Sequence, residues 1–136
     1  MGIVNGRIRK QVWHKCGGKC AYCGMDLPLN QMQADHLQPC YWAVSDEELA
    51  RNGIIRGQDK YENLMPACRR CNKWKANYTL DQFRGEIMAQ LDRIKKYRNE
   101  YRLLLDYGIV KEFPWDGKFY FEKMPGFSHH FNKVQA

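Results

Sequence analysis

At 136 residues, 44% of them hydrophobic, the chain is sized for a single domain with a thin core, the kind that often needs a metal or disulfide staple. A formal net charge of +7 and a sequence pI near 9.2 favour a polyanionic partner over an acidic-surface role. No stretch reaches the roughly 18 consecutive apolar residues of a membrane span, and the basic N-terminus lacks a signal peptide's apolar segment, so an intracellular, cytoplasmic location is expected, with six cysteines as metal ligands or free thiols.

Positive charge is concentrated in two places. Residues 1–19 carry Arg7, Arg9, Lys10, Lys15 and Lys19 without an acid. There Ile8, Val12 and Cys16 recur at helical intervals, predicting a short basic helix that ends at Gly17-Gly18; its basic face suits either phosphate contact or plain solvation. Cys20-Ala-Tyr-Cys23-Gly24 then reads as a knuckle, with Gly24 supplying the turn. A second pair, Cys68-Arg-Arg-Cys71, completes a four-thiolate set that suits tetrahedral zinc. Cys16 and Cys40 are left over, core-packed or free.

Between the knuckles, residues 31–37 alternate loosely and predict a strand, ended by Pro39. Asp35 and His36 are adjacent on it, so their side chains leave by opposite faces. Residues 40–60 read as an inserted loop carrying one helix, capped by Ser45 with Glu48 and stopped by Gly53. Tyr61 to Pro66 predicts the second strand, and Cys68 to Asn77 a knuckle running into a helix whose Asn72 and Lys75 share a face. Thr79 and Gln82 form another capping box, opening one long helix to about Gly108. This helix is read as scaffold, with a dimer interface as the alternative. The Asp116-Gly117 pair between apolar runs predicts a terminal β-hairpin. His129 and His130 lie in a polar end.

The residues between the two cysteine pairs fit hydrolysis of a phosphodiester. A neutral imidazole, here His36, is a suitable base for water. Asp35 offers a carboxylate and Asn72 an amide oxygen, hard donors that favour magnesium or manganese, whereas the thiolates select zinc. The Asn63 amide can bridge backbone groups across the loop and hold His36. Arg69, Arg70, Lys73 and Lys75 are read as phosphate contacts, and Trp74 as a core residue.

Asp35-His36-Leu-x-Pro39, Glu62-Asn63-Leu64 and Cys68-x-x-Cys71-Asn72-x-x-Lys75, with Cys20-x-x-Cys23 upstream, resemble the HNH endonuclease family. The resemblance covers about residues 7–78 and implies an α+β, ββα-metal (His-Me finger) fold stapled by the Cys₄ zinc site. It further implies His36 as general base, Asp35 and Asn72 as ligands of a catalytic divalent cation, Asn63 as the loop-orienting residue, and DNA as substrate. Asn72 stands where many members have a third histidine, making this an H-N-N variant, and the segment from Pro39 to Asn63 is longer than usual. The expected organisation is one domain: this core, a helical extension over about 79–108, and a hairpin and tail over 109–136. Homodimer or partner protein, and phage or other mobile-element origin, are left open. A catalytically silent zinc-ribbon module that only binds nucleic acid or protein is the rival reading.

Overall fold

In the computed structural model, residues 2–126 are described. Helix α1 (Gly6–His14) starts at Asn5, whose side chain accepts from Ile8 N at 3.0 Å, and it buries Val12. Its basic residues are partly used inward. The Arg9 guanidinium donates to the carbonyls of Leu29 (3.2 Å) and Met32 (2.7 Å). Lys15 Nζ donates to the carbonyls of Tyr61 (2.6 Å) and Leu64 (2.7 Å), and burial lowers that ammonium to about 8.

Strand β1 (Gln33–His36) pairs antiparallel with β2 (Leu64–Ala67) in the register Gln33 to Ala67 and His36 to Leu64. The next bond, Leu37 N to Asn63 O at 2.8 Å, continues the ladder on odd-numbered residues of β1. Pro66, opposite Ala34, therefore loses no ladder bond, and its carbonyl accepts from Ala21 N of the first knuckle at 2.8 Å.

The long connection between the strands is tied down by its own side chains. It carries α2 (Asp46–Arg51), capped by Ser45, whose hydroxyl accepts from Glu48 N at 3.2 Å. The Arg56 guanidinium gathers the carbonyls of Cys40, Tyr41 and Val44 at 2.6–2.7 Å and pairs with Asp46 at 2.8 Å. At Gly57 the loop runs against the end of β1, and Gly57 N reaches Pro39 O at 2.8 Å. A Cβ there would lie 1.8 Å from Gln38 O.

Helix α3 (Arg69–Lys75) follows β2 directly and completes a ββα unit. Thr79 and Gln82 form the expected capping box of α4 (Leu80–Tyr97). The single long helix breaks at Arg98, whose extended backbone (φ −125°, ψ 93°) separates α4 from α5 (Asn99–Asp106). Neither glycine nor proline marks the break, and the chain uses it to turn back along α4: Lys95 pairs with Glu112 at 2.9 Å, and Arg84 pairs with Glu122 at 2.7 Å.

The expected terminal hairpin does not form among the described residues. Asp116-Gly117 is a turn, with Gly117 at φ +77° and Asp116 Oδ1 accepting from Lys118 N at 3.0 Å, but its flanks do not pair. Instead Tyr120 N donates to Tyr22 O (3.1 Å) and Phe121 N to Ala21 O (2.9 Å), so the tail closes on the first knuckle. Burial decides this: Phe119 and Phe121 pack edge-on against Tyr22, with ring centroids 5.6 and 6.2 Å apart, and Phe119 stacks on Phe83 of α4 at 5.2 Å. These rings join Val12, Leu64, Met65 and Leu80 in one core. No described helix is long and apolar enough to cross a membrane, and His129 and His130 lie outside the described residues.

Two glycines give opposite expectations. Gly57→Ala forces backbone apart and is expected to destabilise by about 1–3 kcal/mol or more. Gly85, inside α4 with nothing within 4 Å of an added Cβ, is expected to gain about 0.5–1 kcal/mol on change to Ala. Denaturant melts of the two variants beside the parent check both signs.

Candidate active site

The four knuckle cysteines come together. Their sulphurs all lie within 4.8 Å of one another, and Cys23 Sγ is 3.9 Å from Cys68 Sγ. A tetrahedron with about 2.3 Å metal–sulphur bonds has edges of about 3.8 Å, so the donor set fits a metal ion. The Cys20 thiol is pulled down, first by a hydrogen bond from the Cys71 thiol and further by backbone N–H groups including Cys68 N at 3.3 Å. Cys71 is pushed up as the partner that keeps its proton. Cys16 is buried apart from the cluster, and burial raises its thiol to about 12. Cys40 is buried under the loop, its thiol raised by burial.

Tyr22, inside the first knuckle, carries this cluster to the hairpin. Its ring is buried in the aromatic core and its hydroxyl donates to Asp35 Oδ2 at 2.5 Å. The same oxygen takes Lys75 Nζ at 3.0 Å, and Nζ also donates to the His36 carbonyl at 2.9 Å. Lys75 is therefore 0% exposed and points to the hairpin, not to the basic surface on which the sequence reading placed it. Burial raises the Asp35 carboxyl above its ordinary value despite the attraction of Lys75 and the Tyr22 hydrogen bond. Asn72, one turn before Lys75 on α3, meets Gln33, two residues before Asp35 on β1, with Nδ2 2.5 Å from Gln33 Oε1. Both contacts of Asp35 run through Oδ2 and that of Asn72 through Nδ2. Oδ1 of each side chain takes no part in these contacts and is a hard oxygen of the kind magnesium or manganese accepts.

His36 leaves the strand on the other side. Its Nε2 lies 2.8 Å from Asp59 Oδ1, and its ring stands edge-on to Trp42 at 5.5 Å. Asp59 Oδ2 accepts from Ile3 N at 3.0 Å, and the hydrogen bond from His36 holds the Asp59 carboxyl below its usual range. An ionised carboxylate only accepts, so Nε2 is the donor and the neutral ring keeps its lone pair on Nδ1. Asn63 is fully buried below this loop. Its Oδ1 accepts from Gln38 N (2.9 Å), and its Nδ2 donates to the carbonyls of Gln38 (2.9 Å) and Gln58 (2.8 Å), stitching the two ends of the insertion together.

Asp35 and His36, but not Asn72, line one cleft of about 300 Å³, walled by Tyr41 and Trp42 on one side and Ala76 and Asn77 on the other. Tyr41 (φ 50°) and Ala76 (φ 45°, ψ −123°) both hold a positive φ that non-glycine residues rarely adopt. Arg69, Arg70 and Lys73 are exposed on the outer face of α3, and Trp74 is exposed with them, not in the core where the sequence reading put it.

Three contributors escaped the sequence. Gln33 was within reach, since it shares the Asp35 face of a strand by the period of two. Tyr22 was marked only by lying between two cysteines. Asp59 carried no signal, being one acid in a polar loop whose course no periodicity fixes.

Residues 20–77 match the family model described as HNH endonuclease. No curated protein matches. Among solved structures, the chain is similar to the Type II-C Cas9 enzyme from Actinomyces naeslundii, at 24% identity and a TM-score of 0.44, over 59% of this chain and 7% of that one. The matched segment holds both knuckles, the hairpin and α3, and it is this part of the chain that is similar to the HNH endonuclease family.

Proposed function

We propose that the protein is a metal-dependent endonuclease that hydrolyses DNA phosphodiester bonds at the cleft between the insertion loop and α3. The observation that carries this reading is the His36–Asp59 contact beside the Asp35 carboxylate. It leaves the Nδ1 lone pair of a cleft-lining histidine beside a cleft-lining carboxylate, an arrangement a pure binding module has no use for. His36 Nδ1 removes the proton from water as the water oxygen bonds to phosphorus. The opposite P–O bond breaks, the leaving oxygen takes a proton from solvent water to end as a hydroxyl, and the imidazolium then gives its proton back to solvent. Asp59 stabilises the imidazolium that forms and fixes the ring; Asn63 holds the loop on which that geometry depends. Asp35 and Asn72 would hold magnesium or manganese through their Oδ1 atoms, and the cation would supply the positive charge that the transition state needs. Lys75 keeps the buried carboxylate in place. The four cysteines hold structural zinc, which suits soft thiolates.

In a supercoiled-plasmid assay we expect nicking or linearisation with magnesium or manganese and none with EDTA. Folded, zinc-loaded protein that binds DNA yet cleaves with neither cation would favour the silent module. Asp59→Asn removes the charge but keeps the shape; a fall in kcat of about 10- to 100-fold with KM nearly unchanged is expected, and parental kcat would take Asp59 out of the mechanism. Metal analysis is expected to find one zinc per chain. Cys68→Ser is expected to unfold or aggregate, because structural zinc binding is folding free energy; circular dichroism of a folded, zinc-free mutant would refute the assignment.

A further inference from the structure

Most cations around the hairpin are engaged within the protein: Arg9, Lys15 and Arg56 hold loop carbonyls, and Lys75 holds Asp35. The outer face of α3 is different. Among the described residues, Arg69, Arg70 and Lys73 have no ion-pair partner, and all three are exposed. They share a groove of about 750 Å³ with two aromatic side chains, Trp74, 57% exposed, and Tyr78, 39% exposed. The one acid in its lining, Glu86, is neutralised by Arg93 at 2.7 Å. Ala76, at its positive φ, lines this groove and the His36 cleft alike, so the two hollows meet there. Across the cleft Trp42 is 66% exposed beside the His36 ring.

Three unpaired cations explain a phosphate backbone, of duplex or single strand alike. They do not explain two large aromatic side chains left in water among them. Bases in a duplex offer only their edges to a protein surface, with their faces covered by stacking; an unpaired base offers its whole face. Aromatic residues interleaved with basic ones along a groove are what sequence-tolerant binding of single strands requires. We infer that the outer face of α3 is a binding site for an unpaired DNA strand, with Trp74 and Tyr78 stacking on its bases and Arg69, Arg70 and Lys73 following its phosphates toward the His36 cleft. The strand's identity as DNA rests on the nuclease reading above; the site itself stands on the groove.

The test measures binding without cleavage. Fluorescence anisotropy of a labelled oligothymidine and of a duplex hairpin of equal length is followed with the zinc-loaded protein and no added magnesium. The single strand is expected to bind at least about tenfold more tightly than the duplex, with Trp74→Ala weakening it about tenfold, the scale of one base stack. Trp74→Phe is expected to recover most of that loss, and Arg70→Gln to lower the salt dependence of single-strand binding by about 0.7 in log–log slope. Equal affinity for both forms, with Trp74→Ala changing neither, would overturn the proposal. Tyr78→Ala serves as the second probe should Trp74→Ala fail to fold, with the same two outcomes. A protein that binds the strand as expected yet cleaves nothing keeps this site and loses the nuclease reading, so the two failures are distinct.

Discussion

The convergence of Cys20, Cys23, Cys68 and Cys71 on one point is the constraint that the rest of the structure hangs from. It joins a turn after α1 to the junction of β2 and α3, elements far apart in the chain. A small chain with a thin core has little else to hold such a junction, and a metal ion held by all four thiolates would add its binding free energy to folding there. The clamp also reaches the chemistry through one side chain. Tyr22, between the two cysteines of the first knuckle, places its ring in the aromatic core and its hydroxyl on Asp35. Tail, long helix and candidate metal ligand are thus all referred to a single turn.

Around that clamp the protein sorts its cations by role. Lys75 lies on the inner face of α3, fully buried between Asp35 and the His36 carbonyl, and fixes strand to helix. Arg69, Arg70 and Lys73, on the outer face of the same seven-residue helix, stay in solvent. A buried ammonium beside a buried carboxylate is costly in desolvation, but losing either partner would cost more, because the other would be left uncompensated. The arrangement holds the Asp35 carboxylate at the floor of a cleft while leaving one oxygen there for other chemistry. His36 is held from the opposite side by Asp59 and the stitched loop, so the two side chains are positioned by separate parts of the chain.

What could be read in the sequence was what local physics decides. Paired cysteines announced the clamp, a strand's period of two separated Asp35 from His36, and Thr79 with Gln82 announced the start of α4. What could not be read was decided by tertiary packing. Apolar spacing runs across Arg98 without interruption, so one helix was expected where two pack against each other. Asp116-Gly117 has hairpin chemistry, but Phe119 and Phe121 bury more against Tyr22 than by pairing with the strand before them. Lys75 and Trp74 are neighbours whose burial is the reverse of their residue types, because a buried carboxylate on β1 claims the lysine. Asp59 depends on the course of an irregular loop, which no pattern of residue types encodes.

Chemical rescue tests the role of His36 as the base most directly. His36→Gly opens a space for exogenous imidazole in the cleft, and plasmid cleavage is followed with magnesium while imidazole is titrated. Cleavage is expected to be lost in the variant and restored in proportion to added imidazole. A folded, zinc-loaded His36→Gly protein that cleaves as fast as the parent without imidazole would contradict it.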